Sequence, residues 1–187
     1  MTSVSNNPLI NSITLVINKD DRREIEGFKK KYHKLNSVIN GGITRQQSTF
    51  IALKSIRKKR VKTKNDIVLI HDAARPFLEN RIIKSCISQL KKYEGVFPAL
   101  DMDDTLRNKK NLNPYDRNII IGSQTPQAFI FDKIYMAYQQ IKGSYSDDIA
   151  IANKFGLRVK KIEGSKLNLS LIHISEPTRQ AEISYAV

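Results

Sequence analysis

Short apolar runs alternate with longer amphipathic stretches along most of this chain, the pattern of a mostly parallel sheet covered by helices. Strands are predicted over residues 12–17, 37–39, 67–70 and 96–100, with 159–162 as the last of the pattern, and the strongly apolar 67–70 run reads as central. Helices are predicted over 20–33, opened by Asp20 and Asp21, and over 45–56, 80–92, 132–141 and 147–154. The polar stretch 106–116, with Asn108, Asn111, Asn113 and Pro114, reads as an excursion from the sheet. No internal repeat is present.

A length of 187 residues suits one ordinary domain with a single core. Hydrophobic residues at 40% and charged residues at 27% exclude a disordered or fibrous chain. The one cysteine, Cys86, lies among Ile82, Ile83, Ile87 and Leu90 at helical spacing and reads as a small buried hydrophobe, so no disulfide framework or zinc site is available. The net charge of +14 admits nucleic acid, an anionic membrane or a polyphosphate ligand. The densest basic run, Arg57, Lys58, Lys59, Arg60, Lys62 and Lys64, follows Phe50, Leu53 and Ile56 and reads as the solvated end of a helix and its loop. Without interleaved aromatics or a recognition-helix spacing, nucleic-acid binding is disfavoured. The apolar 9–17 stretch is short and broken by Asn11, Ser12 and Thr14, so it reads as a strand rather than a membrane span or signal peptide. A cytoplasmic location is expected.

Ligands of open α/β sheets collect beyond the carboxyl ends of the strands. Two polar segments follow predicted strands there: Gly41-Gly42-Ile43-Thr44-Arg45-Gln46-Gln47-Ser48, and His71-Asp72-Ala73-Ala74-Arg75-Pro76-Phe77. Glycines allow a base or phosphate close to the backbone, and the helix that follows offers free N–H groups to an anion. A carboxylate such as Asp72 just past a central strand suits a magnesium ion bridging phosphate oxygens, with Arg75 to balance charge. Taken singly, a double glycine is as well explained by a turn, and an Asp and Arg three apart by a local ion pair.

In combination with later segments these motifs become specific. The chain resembles the 2-C-methyl-D-erythritol 4-phosphate cytidylyltransferase family through Gly41-Gly42 with Arg45 and Ser48, through the 71–77 segment, and through Asp104-Thr105. The likeness continues through Asp116-Arg117, Gln124-Thr125-Pro126-Gln127 and Ser146-Asp147-Asp148, in the family's order. The resemblance implies a three-layer, Rossmann-like α/β sheet with a short projecting arm that helps build a homodimer. It implies transfer of CMP from CTP to methylerythritol phosphate with release of pyrophosphate. Gly41, Gly42, Ser48 and Ala73 would then contact CTP, Asp72 would hold Mg2+ or another divalent cation, and Arg75 would order that loop. Thr105 and Arg117 would receive the methylerythritol phosphate across the dimer interface, with Thr125 and Ser146 lining the same pocket. Arg117, Asp72 and Arg75 are the expected catalytic groups; His71 reads as structural. Local structure offers rival explanations: a turn at Thr125-Pro126, and a helix N-cap with acidic first-turn residues at Ser146-Asp147-Asp148.

The family's opening strand, glycine-rich loop with an arginine, and Pro-Lys-Gln segment have no counterpart in this sequence, so the first βα unit is expected to be missing. The excursion between Thr105 and Arg117 is shorter than the family's usual arm. After Asn168, where the family continues into a lysine-bearing Asn-Ile-Lys-Ile-Thr segment, residues 169–187 look like the translation of a sequencing adapter, an index and a primer, with Ser170 at the lysine's position. Residues 1–168 are thus expected to be a nucleotidyltransferase domain truncated at both ends, with negligible turnover in this form. The parent would be monofunctional, or bifunctional with a cyclodiphosphate synthase. Two alternatives are a cytidylyltransferase for another polyol phosphate, such as ribitol 5-phosphate, and a noncatalytic basic module that binds nucleic acid.

Overall fold

Runs of β-branched and aliphatic residues form the sheet because each side of a strand finds a helix layer to bury against. The computed structural model describes residues 2–25, 27–59, 66–171 and 184–186. The strands are β1 (Ile13–Ile17), β2 (Leu35–Asn40), β3 (Ile67–Asp72), β4 (Gly95–Asp101), β5 (Ile121–Ser123), β6 (Gln127–Ile130), β7 (Val159–Glu163) and β8 (Ser184–Ala186). The helices are α1 (Thr2–Ser5), α2 (Phe28–Lys31), α3 (Arg45–Lys59), α4 (Asn80–Gln89), α5 (Phe131–Gln140) and α6 (Asp148–Phe155). All strands join one sheet in the order β2-β1-β8-β3-β6-β4-β5, with β7 also paired to β4. β1 runs parallel to β2, and β4 to β7. The intervening β8 and β6 are antiparallel to both neighbours, which leaves β1, β2, β3, β4 and β7 pointing one way and β5, β6 and β8 the other.

Period-two alternation divides the core between the two faces. Ile13, Leu15 and Ile17 of β1 and Leu69 of β3 pack with Ile82, Ile83 and Cys86 of α4. Val16, Val68 and Ile70 point the other way, onto Leu53 of α3, Ile134 of α5 and Ile151 of α6. This is the expected three-layer arrangement, and β3 is central to it. Burial pushes the Cys86 thiol up to about 12.

Several elements differ from expectation. The helix predicted over 20–33 is a 3-10 helix over Lys19–Ile25 followed by the short α2, which buries no residue. Ile25, Phe28 and Tyr32 share a helical spacing, but Gly27 falls between the first two and lowers helix propensity in the middle of the segment, where it divides into two short pieces. β5 and β6 were not anticipated, because each is short and bounded by polar or proline positions; β8 lies beyond the strand expected to be last. The excursion forms a small arm closed by a bridge between Arg107 and Pro114, with Leu112 at φ 58° at its tip. Arg60, Lys62 and Lys64 of the basic run, and residues 172–183 and 187 of the segment expected to be foreign, lie outside the described residues. Among the described residues, no helix is long and apolar enough to cross a membrane.

Candidate active site

β2 and β3 run in the same direction, so the segments that follow them emerge at one end of the sheet. After β2 the chain is drawn tightly onto α3. Ser48 Oγ accepts the Gly42 N–H at 3.0 Å and donates to the Thr44 carbonyl at 3.0 Å. The Ile43 N–H donates to Gln47 Oε1 at 2.9 Å. A Cβ on Gly41 would lie 2.7 Å from Ser48 Oγ, which explains a glycine at that position.

Asp72 ends β3 between two guanidinium groups. Arg45 Nε lies 3.4 Å from its Oδ1 and Arg75 Nε 3.6 Å from its Oδ2. Arg45, the first residue of α3, thereby ties the glycine loop to the Asp72 loop. Its other end donates from Nη2 to Asp148 Oδ2 at 2.7 Å. Burial alone would lower the Arg45 pKa, but Asp148 and then Asp72 outweigh it and raise the value above its ordinary level. Asp148 is fully buried, and its second oxygen accepts from the Tyr138 hydroxyl.

Behind Asp72 a chain of hydrogen bonds fixes one histidine tautomer. The Arg75 carbonyl, 3.0 Å from His71 Nε2, can only accept, so Nε2 carries the proton. Nδ1 then accepts from the Thr125 hydroxyl at 2.9 Å, and Thr125 Oγ1 accepts the Asp72 N–H at 3.1 Å. Burial lowers the His71 pKa to about 4. Arg75 Nη1 donates to the Asn168 carbonyl at 2.8 Å, and Asn168 Nδ2 donates to the Thr125 carbonyl at 2.7 Å. The Thr125-Pro126 peptide is cis.

Of the residues expected from sequence, Gly41, Gly42, Ser48, Asp72, Ala73, Arg75 and Thr125 lie along this connected end of the sheet. Thr125 serves there as a buried brace for the Asp72 backbone. Thr105 and Arg117 meet each other on the arm, where Arg117 Nη2 donates to Thr105 Oγ1 at 2.8 Å and Nη1 to the Asp103 carbonyl at 3.3 Å. Ser146 is exposed; the N-cap of α6 is Asp147, which accepts the Ala150 N–H at 2.9 Å. Sequence reasoning did not assign the tasks of Arg45, Gln127, Tyr138 and Asp148. Gln127 Oε1 accepts the N–H groups of Asp148 and Ile149 at 2.9 and 3.1 Å, while its Nε2 donates to Asp147 Oδ2 at 2.9 Å. The available signal was Asp148 itself. It stands three and four residues before the buried Ile151 and Ala152, which puts a carboxylate on the apolar face of a helix.

Among the described residues, no group of three or more His, Cys, Asp or Glu side chains could form a protein cage for a metal. Magnesium commonly takes one or two carboxylates and completes its shell with phosphate oxygens and water, so the donor set at Asp72 fits it as a single protein ligand. The buried Arg75 Nε has no hydrogen-bond partner, leaving a donor free beside that carboxylate.

The profile of the family described as IspD, 2-C-methyl-D-erythritol 4-phosphate cytidylyltransferase, matches residues 1–183. The chain belongs to this family. It is 35% identical over 173 residues to the "Bifunctional enzyme IspD/IspF" of Bartonella henselae, covering 88% of this chain and 43% of that protein. With the 2-C-methyl-D-erythritol 4-phosphate cytidylyltransferase of Clostridium beijerinckii it shares 33% identity over 176 residues, 88% of this chain and 74% of that one. The crystal structure of the 4-diphosphocytidyl-2C-methyl-D-erythritol synthase of Anaerococcus prevotii matches with a TM-score of 0.77 at 28% identity, covering 90% of this chain and 76% of the other. The fold is thus the Rossmann-like α/β fold of the cytidylyltransferase family. The chain spans less than half the length of the bifunctional Bartonella relative.

Proposed function

We propose that this chain is part of a cytidylyltransferase that transfers CMP from CTP to 2-C-methyl-D-erythritol 4-phosphate, releasing pyrophosphate, a step in making isoprenoid precursors. The observation that carries the proposal is Asp72, held at the carboxyl end of β3 between Arg45 and Arg75 and joined through Arg45 to the glycine loop. In this reading Gly41, Gly42 and Ser48 receive the cytosine and ribose end of CTP, and Ala73 lies beside the triphosphate. Asp72 is the protein ligand for Mg2+, which when bound neutralises phosphate oxygens. Arg75 keeps the loop ordered through its bond to the Asn168 carbonyl.

The acceptor phosphate attacks the α-phosphorus in line; the new P–O bond forms as the bond to pyrophosphate breaks, and no covalent enzyme intermediate is required. Thr105 and Arg117 bind the methylerythritol phosphate from the arm of a second subunit, with Thr125 and Ser146 at the same pocket. The exposure of Leu112, Tyr115, Ile119 and Ile121 around the arm supports a homodimer there. The partners are a nucleotide and a sugar phosphate rather than nucleic acid or membrane, and the location is cytoplasmic.

Equilibrium titration of the chain with CTP, UTP and ATP in the presence of Mg2+ tests the assignment. Saturable binding that prefers CTP is expected. No nucleotide binding, combined with steeply salt-dependent affinity for arbitrary DNA, would overturn it in favour of a basic nucleic-acid module.

A further inference from the structure

Asp148 is an expensive residue where it stands. Its side chain is wholly buried on the face of α6 that carries Ile151 and Ala152, where an aliphatic side chain would pack without the desolvation of a carboxylate. Its bonds point to a task outside the helix. The Tyr138 hydroxyl fixes one oxygen, and the other holds Arg45 Nη2 at 2.7 Å, the length of a strong charge-assisted bond. The same guanidinium reaches Asp72 at only 3.4 Å, long for such a bond. On the opposite side of Asp72, Arg75 Nε stops at 3.6 Å and has no hydrogen-bond partner. Asp72 is thus flanked by two arginines, and neither closes on it.

We propose that Asp148, fixed by Tyr138, is a positioning residue that holds Arg45 back from Asp72, so that the Asp72 carboxylate is oriented by cations yet left open to a divalent metal. The proposal rests on the reading of Asp72 as the metal ligand. One guanidinium is shared between two carboxylates, and the division decides what the metal meets. Removing the charge at Asp148 hands Arg45 to Asp72, where it competes with the metal. Removing the Tyr138 hydroxyl leaves Asp148 short of a donor, draws Arg45 further toward Asp148, and frees Asp72.

The two substitutions Asp148→Asn and Tyr138→Phe therefore separate in metal binding, the first weakening it and the second not, whereas general loosening of the site would weaken both. Mn2+ binding by the full chain in the presence of CTP, followed by water-proton relaxation, reads this. Asp148→Asn weakens Mn2+ about tenfold, the scale on which an opposite charge at this range shifts an ionic equilibrium. Tyr138→Phe leaves the affinity equal or tighter. Weakening in both variants, or no change in Asp148→Asn, overturns the proposal. Crystal structures of the variants supply a second readout that needs no ligand: the contact of 3.4 Å closes below about 3 Å in Asp148→Asn and lengthens in Tyr138→Phe. An Arg45 that stays in place in both contradicts the sharing. A wild-type chain that binds neither CTP nor Mn2+ contradicts the functional reading instead, and the crystal structures alone then decide the claim about Arg45.

Discussion

Acidifying this protein charges a histidine that the fold has built to be neutral. His71 is buried, with Nε2–H committed to the Arg75 carbonyl and Nδ1 accepting from Thr125, so a second ring proton would place a charge where water cannot solvate it and would turn the Thr125 hydroxyl around. Burial is the main cause that lowers its pKa to about 4, against an ordinary 6.5. Between those values the unfolded chain carries the proton and the folded protein does not, so folding stability rises with pH across that interval. The contribution is complete above pH 6.5 and is lost as pH falls toward 4. At about 1.4 kcal/mol per unit the interval corresponds to about 3 kcal/mol, of which about 1 kcal/mol is already gone at pH 5.5. Carboxylates also titrate in this range, so the assay is a difference: urea unfolding of the wild type and of His71→Gln at pH 7, 5.5 and 4.5. The glutamine keeps a donor for the Arg75 carbonyl but cannot take up the proton. The wild type is expected to lose about 2 to 3 kcal/mol more than the variant between pH 7 and pH 4.5. Parallel curves, or a His71 ring resonance titrating near 6.5, would refute the reasoning.

Two further perturbations test how the site is held together. Gln127→Leu leaves the buried N–H groups of Asp148 and Ile149 without their acceptor, at about 1 to 3 kcal/mol for each unsatisfied group. Chemical denaturation should show a loss of about 2 to 6 kcal/mol, and a loss below about 1 kcal/mol would mean that another acceptor takes over. Gly41→Ala drives a Cβ to within 2.7 Å of Ser48 Oγ and must turn that hydroxyl off the Gly42 N–H. Stability should fall by about 1 kcal/mol and CTP affinity with it, as calorimetry would show; unchanged CTP binding would remove Ser48 and the glycine loop from the nucleotide site.

The parts of this molecule that were legible in the sequence are those fixed by local pattern. β1, β3, β4 and β7 and their covering helices declared themselves through apolar runs and helical spacing, and the Asp72 corner through the motif 71–77. Residues 20–33 misled because acidic starts and a basic end imitate a helix, while Gly27 interrupts the segment and α2 buries no residue to offset it. β6 was hidden because Gln127 looks like a loop residue until its amide is seen holding the start of α6. The sharing of Arg45 between Asp72 and Asp148 joins residues 27 and 103 positions apart, a separation that no periodicity reports. Thr105 and Arg117, 12 apart, were expected at the two ends of the arm, but their bond to each other is a property of the folded arm.

In the proposed function the loop after β2 and the end of β3 form one site for CTP and a divalent cation. A crystal structure of this chain soaked with CTP and Mg2+ tests it most directly. The base and ribose are expected against Gly42 and Ser48, the triphosphate beside Ala73, and the metal on Asp72. A nucleotide bound elsewhere, or metal density away from Asp72, would contradict it.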